Sequence, residues 1–336
     1  MLNKKVLNVC LFAILSAVSA QSCANDNRDK ASQNLPEDTS GYQVPKIELI
    51  KTSEPAVQSR KVGTNSILFD FGNDAFGQVK LTIEAVNDND TLTVLLGEML
   101  SPDGHINSKP PGTVRFRALP ITLKKGINTY TPIIPSDKRN TGKNAVLMPV
   151  EIGEVLPFRY AELRTEPERY DIRNVSRDIV TIRYDDSASS FTSSDSMLNR
   201  IWDLCKHTMK ATTFSGYYVD GDRERIPYEA DALINQLSHY ATYPEYTIAK
   251  RTLDYLIYHP TWPTEWMLQN TMIAWYDYLY SGDIRMVAKL YRQLKAKVLE
   301  DLAREDGLIS TKTGKQSRDF LRSIHFREFD LDSKLR

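Results

Sequence analysis

The sequence predicts a multidomain β + α chain: an antiparallel β-sandwich over residues 45–190, then an incomplete α/α toroid over 191–336. Three observations predict it. Short alternating or β-branched runs, separated by turn clusters, fill the first half, and no helical period of useful length precedes residue 190. At Ser193 the pattern changes to a 3–4 spacing of apolar residues. All four tryptophans (Trp202, Trp262, Trp266, Trp275) lie beyond that change.

The expected strands are Ser66–Phe71, Gln78–Val86, Thr91–Leu96, Thr113–Leu119, Pro157–Arg164 and Ile179–Tyr184. Turn chemistry separates them at Asn87-Asp88-Asn89-Asp90, Ser101-Pro102-Asp103-Gly104 and Pro110-Pro111-Gly112. Short strands at this spacing favour an antiparallel sandwich over a parallel sheet.

Five helices are expected after residue 190. Leu198, Ile201, Trp202, Cys205 and Met209 share one face of the first, with Ser193 or Asp195 available as its cap. This places Cys205 in the core as a small buried hydrophobe. The second starts near Pro227 and buries Ala230, Leu233, Ile234 and Leu237. The third begins at Pro244, which suits a first helical turn, and carries Ile248, Leu253, Leu256 and Ile257. A fourth spans Thr264 to Tyr280, and Asp283 caps a fifth running to about Ala303. Short links make consecutive helices antiparallel neighbours. A toroid of six hairpins needs about twelve helices, so the chain is expected to be the N-terminal portion of a longer or truncated protein.

Residues 1–23 read as a signal peptide. Lys4 and Lys5 form a positive start, Val6 to Val18 is apolar, and Val18-Ser19-Ala20 supplies small residues for cleavage. Two processing routes are open. Cleavage after Ala20 leaves a soluble periplasmic protein, whereas lipidation of Cys23 leaves an outer-membrane-anchored one. Gln21 stands where a lipidation signal usually has a small or apolar residue. A polar tether over 24–44 follows. Both routes export the protein. With Cys10 in the signal and Cys23 at the lipid site, Cys205 alone remains in folded sequence, so no intrachain disulfide framework can form.

Lys+Arg and Asp+Glu both number 43, a formal net charge of zero. Nucleic acid would call for a basic excess, so a neutral polymer or small molecule is the better partner. The five histidines show no metal-ligand spacing, and neither a phosphate-binding glycine loop nor a nucleophile elbow is present. No cofactor or metal is expected.

The richest chemistry lies in Val219 to Asp231, VDGDRERIPYEAD. Carboxylates and guanidiniums at a helix entrance form either a solvated loop or a site that handles protons. Pro227 suits the first helical position, which puts Glu224 just before a helix N-terminus between Arg223 and Arg225. Asp220, Asp222 and Asp231 would raise its pKa, while the arginines and the helix end would lower it. Further on, Trp262-Pro263-Thr264-Glu265-Trp266 sets a carboxylate between two indoles. That segment is either a sugar platform, with apolar faces to stack on and an acceptor for hydroxyls, or packing at a helix junction. Trp202 and Trp275 fall within helical periods and are expected in the core.

The cluster resembles the signature D-C-P-x-R-E-x-x-G-W-x-x-D of the bacterial α-L-rhamnosidases of glycoside hydrolase family 78. Arg223 to Asp231 matches its R-E-x-x-G-W-x-x-D part in spacing, and Asp220 matches the leading Asp after one deletion. Pro227 replaces the family Gly and Tyr228 the Trp. Phe69-Asp70-Phe71-Gly72, Gly97-Glu98-Met99-Leu100, Phe158 to Leu163, Phe191 to Ser194 and Leu198 to Trp202 extend the likeness in the same order.

The resemblance implies an (α/α)6 toroid of six-hairpin glycosidase type and inverting hydrolysis of terminal α-L-rhamnose. It makes Glu224 the general acid, with Asp220, Arg223, Tyr228 and Asp231 lining the rhamnose subsite and Glu265 and Trp266 as further contacts. The base of an inverting pair would come from a late segment that no residue here matches, so the chain alone is expected to be inactive. Two rival readings stay open: a carbohydrate-binding fragment without chemistry, and an inactive truncated product.

Overall fold

The computed structural model describes residues 41–263 and 265–310. The expected signal peptide, Cys23 and most of the tether lie outside the described residues. So do the residues beyond 310. The chain divides into two units: one from Val44 to Ser281, the other taking Gly282 onward with the residues before Val44.

The first unit opens with eight antiparallel strands: β1 (Leu49–Pro55), β2 (Gln58–Val62), β3 (Ser66–Ala85), β4 (Thr91–Gly97), β5 (Phe116–Thr122), β6 (Gly126–Tyr130), β7 (Leu156–Arg164) and β8 (Tyr170–Ile182). Hydrogen bonding runs β1-β8-β3-β7-β4-β5, with β2 and β6 also pairing to β3. The two expected strands Ser66–Phe71 and Gln78–Val86 are one long strand, irregular between Asp70 and Ala75. Its first part lies between β2 and β7 and its last part between β8 and β6. Alternate residues Val79, Leu81 and Ile83 are fully buried. They join Leu92, Val94 and Leu96 of β4, Phe158, Ala161 and Leu163 of β7 and Val175 of β8 in one core. Strands β4 and β8 share no hydrogen bonds, so a core common to both means the sheet folds over itself, sandwich fashion. Each fully buried aliphatic side chain there stabilises by about 1.5–3 kcal/mol.

Strand β5 begins at Phe116, three residues later than expected: the Val114 amide turns back to the Pro111 carbonyl, and the Arg115 amide donates to the Glu98 side chain rather than to a neighbouring strand. Strands β1, β2 and β6 went unrecognised in the sequence: their exposed, polar edge positions carry no alternating apolar signal.

The helices follow: α1 (Ser196–Ala211), α2 (Glu229–Thr242), α3 (Thr247–Tyr258) and α4 (Gln269–Ser281). Asp195 caps α1, its side chain accepting from the Met197 amide at 2.8 Å. The third helix starts at Thr247 rather than Pro244, since Glu245 accepts from the amides of Thr247 (2.6 Å) and Ile248 (3.2 Å). Ile248, Leu253, Leu256 and Ile257 are buried as expected.

Three expectations fail here. The buried face of α2 is Glu229, Ala232, Gln236, His239 and Tyr240, while Ile234 is 66% exposed. The helix is thus turned about one residue, or roughly 100°, from the face its apolar residues predict. Its polar face stays inside because it is paired: Gln236 Nε2 donates to the Ile273 carbonyl (2.9 Å), Tyr218 Oη lies 2.6 Å from His239 Nδ1, and Tyr240 Oη donates to Asp277 (2.8 Å). Cys205 is exposed, because α1 buries only Met209 fully. Trp275 is also exposed, since α4 turns Asn270, Ile273, Ala274 and Asp277 inward instead. Trp202 is half-buried and stacks on Phe191, 5.6 Å between ring centroids.

The second unit contains α5 (Arg285–Lys297), with Asp283 accepting from the Arg285 amide at 3.1 Å. Met286, Leu290 and Leu294 form its buried stripe. Among the described residues no helix is long and apolar enough to cross a membrane.

Candidate active site

The site loop leaves α1 through a two-stranded hairpin, β9 (Thr213–Phe214) and β10 (Tyr217–Tyr218). Ser215 and Gly216 both take positive φ (50° and 76°), the turn that suits tight hairpins. A Cβ on Gly216 would stand 2.2 Å from Ile47, so only glycine fits. The hairpin delivers Val219 to Asp231 to the first turn of α2. Helix α2 starts at Glu229, two residues beyond Pro227, and Tyr228 is extended at its N-cap.

The charged cluster separates into two halves. Asp222, Arg225 and Glu229 turn inward. Arg225, its side chain only 2% exposed, binds Asp222 (2.7 Å), Glu154 (2.7 Å) and the Val155 carbonyl (3.0 Å), and lies over the Phe214 ring at 4.5 Å. These contacts hold Arg225 at φ 55°, a left-handed conformation that costs about 1–3 kcal/mol when unsupported. Buried Arg115 grips Asp222 through both its carboxylate and its carbonyl, and Asn140 Nδ2 adds a bond at 3.1 Å. Glu229 accepts from the hydroxyl and amide of Thr261.

Asp220, Arg223, Glu224, Tyr228 and Asp231 form the other half. The left-handed turn at Arg225 sends Arg225 inward and leaves the preceding Glu224 side chain 32% exposed. Tyr228 Oη donates to one oxygen of Glu224, and Arg223 stands 3.4 Å from the other. Arg223 also lies 3.3 Å from Asp220. Burial and the Glu224 carboxylate push the Tyr228 hydroxyl far up, which keeps it a donor. Burial pushes Asp220 up to about 6, against the pull of the Ile226 amide, with Glu224 adding to the rise. Burial also raises Asp231, opposed by Arg223. Three carboxylates, one guanidinium and one phenol therefore share a partly dry surface suited to moving protons.

Trp266 meets Tyr228 edge-on, with centroids 5.8 Å apart and planes at 88°. Trp262 follows at 6.3 Å from Trp266. Of the expected residues, the structure thus brings Asp220, Arg223, Glu224, Tyr228 and Trp266 into one network, and Asp231 joins through the field of Arg223. Glu265 is exposed and joins the group through no hydrogen bond or ion pair among the described residues. Sequence reasoning missed Arg115, Asn140, Glu154 and Thr261, which position the loop from far along the chain; no local motif marks them. Among the described residues no group of three or more His, Cys, Asp or Glu could hold a metal ion.

Residues 186–333 match the family profile of the bacterial alpha-L-rhamnosidase 6 hairpin glycosidase domain. The likeness is to the bacterial α-L-rhamnosidases. No curated protein sequence matches the chain. Solved structures with the same fold include a rhamnosidase from Klebsiella oxytoca with rhamnose bound (14% identity, TM-score 0.55, 79% of this chain and 59% of that one). The α-L-rhamnosidase from Dictyoglumus thermophilum shares 16% identity at TM-score 0.60, over 79% of this chain and 30% of that one. That from Streptomyces avermitilis, complexed with L-rhamnose, shares 17% at TM-score 0.54, over 77% and 25%. The chain spans less than two thirds of the length of each of these rhamnosidases. Its architecture, an antiparallel sheet region followed by rhamnosidase-like helices, is theirs.

Proposed function

We propose that this chain is part of an exported glycoside hydrolase that removes terminal α-L-rhamnose from a glycoside or polysaccharide. Glu224 is the general acid that protonates the glycosidic oxygen. Asp220, Arg223, Tyr228 and Asp231 line the rhamnose subsite, with Trp266 as its aromatic wall and Glu265 at its margin. The observation that carries this reading is Glu224 itself: a partly exposed carboxyl held between the Tyr228 hydroxyl and Arg223, with two further carboxylates around it. The rhamnose bound in the Klebsiella oxytoca and Streptomyces avermitilis structures supports the choice of sugar.

In this reading the reaction is a single displacement with inversion. Water would attack from the opposite face, activated by a second carboxylate about 6.5–9.5 Å from the acid. None of the described residues is assigned that role. The test is hydrolysis of alkyl and aryl α-L-rhamnosides by the full-length protein of which this chain is part, and by its Glu224→Gln variant. Loss of the acid should slow the alkyl substrate by about 100- to 10,000-fold, and the aryl substrate less, because its leaving group needs less protonation. Full activity of Glu224→Gln on both would remove Glu224 from the chemistry.

A further inference from the structure

The proposed chemistry leaves one cluster of partly buried charges unused. Strand β3 loses its register with β7 between Asp70 and Ala75, and that irregularity carries Asp74. The Asp74 side chain meets the side chain of Glu98, which directly follows β4. Two carboxylates share a hydrogen bond only with a proton between them, so the pair holds one. Asp74 Oδ1 is buried with no hydrogen-bond partner among the described residues, which a pair carrying a single charge tolerates better than one carrying two. Arg177 of β8 and His207 of α1 face Asp74, with His207 Nε2 2.8 Å from the Asp74 carbonyl, and Asp222 faces Glu98. Burial, and then Asp74, push Glu98 up to about 8. From Glu98 the contacts lead to the acid loop. The Glu98 amide donates to the Arg115 carbonyl (3.3 Å), and the Arg115 amide donates back to the Glu98 carboxyl. The Arg115 guanidinium then holds the carboxylate and carbonyl of Asp222, two residues before Glu224.

We propose that Asp74 and Glu98 are positioning residues for Glu224, whose loop they hold through Arg115 and Asp222 while the pair keeps its shared proton. With that proton lost to solvent, the two carboxylates repel each other and Asp222 repels Glu98 as well. The clasp on Arg115 then opens and the loop is released. The site thereby carries an alkaline limit separate from ionisation of Glu224 itself. The role in catalysis rests on the rhamnosidase reading of the same site; the hold on the loop does not.

Hydrogen exchange in the full-length protein of which this chain is part reads the hold on the loop. The reporters are the Arg225 amide, bonded to the Gly221 carbonyl, and the Val146 amide, bonded to the Arg225 carbonyl; Val79 and Leu81 of β3 are the reference. In the released loop the pair ionises normally, so opening should grow from about pH 4.5 to 8, by up to about tenfold per pH unit, and level off above 8. Glu98→Gln cannot ionise, yet it keeps an acceptor for the Arg115 amide and gains a donor for Asp74, so its loop should show no such growth. Glu98→Ala should exchange fast in the loop at every pH. It should also lower kcat/KM for an alkyl α-L-rhamnoside at pH 6 by about 10- to 100-fold, a loss that Glu98→Gln largely restores. Thermal melting checks that Glu98→Ala folds; if it does not, the comparison of Glu98→Gln with the wild type decides alone. Loop exchange that grows no faster than the reference, or grows equally in Glu98→Gln, overturns the proposal and leaves the rhamnosidase reading standing. A folded Glu98→Ala with wild-type kcat/KM does the same. Growth as expected in a wild type that hydrolyses no rhamnoside removes the rhamnosidase reading, and the hold on the loop stands.

Discussion

Arg115, buried just before β5, donates to both the carboxylate and the backbone carbonyl of Asp222, two residues before Glu224. A residue of the sheet region thus sets the position of the loop that carries the candidate acid. Glu98 completes the link by accepting from the Arg115 amide.

Replacing Arg115 leaves Asp222 short of its buried partner. Breaking such a pair from one side costs about 3–5 kcal/mol. Arg115→Met is therefore expected to lower unfolding free energy by about 3 kcal/mol in urea titration, while Asp222→Asn, which keeps an acceptor oxygen, should cost less. An unchanged midpoint for Arg115→Met would show that the strut carries no load.

Two raised carboxyls should make stability fall as pH rises, opposed below about pH 6.5 by buried His239, whose pKa burial pushes down to about 4. Burial and the neighbouring Asp74 push Glu98 up to about 8, and burial pushes Asp220 up to about 6. Both carboxyls bind protons more tightly in the folded state, so their stabilising protonation is present near pH 4. It is lost between about pH 4 and 6 for Asp220, and between about 4.5 and 8 for Glu98. Glu98→Gln and Asp220→Asn should each flatten its own window and raise the melting temperature at pH 8. Melting curves from pH 4 to 8 check this, and parallel curves for wild type and variants would refute it.

Glu229 ties Thr261 to the first turn of α2. Glu229→Ala should leave the Thr261 amide unpaired and cost about 1–3 kcal/mol. Hydrogen exchange at Thr261 is expected to accelerate in that variant well before exchange in β3 changes. Uniform acceleration across both would mean that the bond supports the whole unit rather than the tryptophan loop.

At the N-terminus, export with lipidation at Cys23 predicts that the protein fractionates with membranes. Cys23→Ser should release it to the soluble fraction. A soluble wild type would favour cleavage after Ala20.

The architecture was legible because it rests on local signals. Alternation in Thr91–Leu96 and Pro157–Arg164 appears as β4 and β7, and the 3–4 spacing from Leu198 appears as α1, capped by Asp195. The charged loop was legible for a different reason: Asp220 to Asp231 is contiguous, so the sequence names its residues, though not which of them face one another. The face of α2 was not legible. Ala230, Leu233, Ile234 and Leu237 signal burial, yet Glu229, Gln236 and His239 occupy the interior because their partners Thr261, Ile273 and Tyr218 come from other segments.

The sequence by itself determined the order of the two architectures, the break at Ser193 and the residues of the charged loop. Only the tertiary structure decided which of those charges are struts and which are free for chemistry. The physical reason is distance along the chain. A buried guanidinium such as Arg225 is tolerable only with partners to satisfy it, and Glu154 and Val155 lie about 70 residues away. Once Arg225 is drawn inward, its left-handed backbone leaves the preceding Glu224 facing out beside Tyr228.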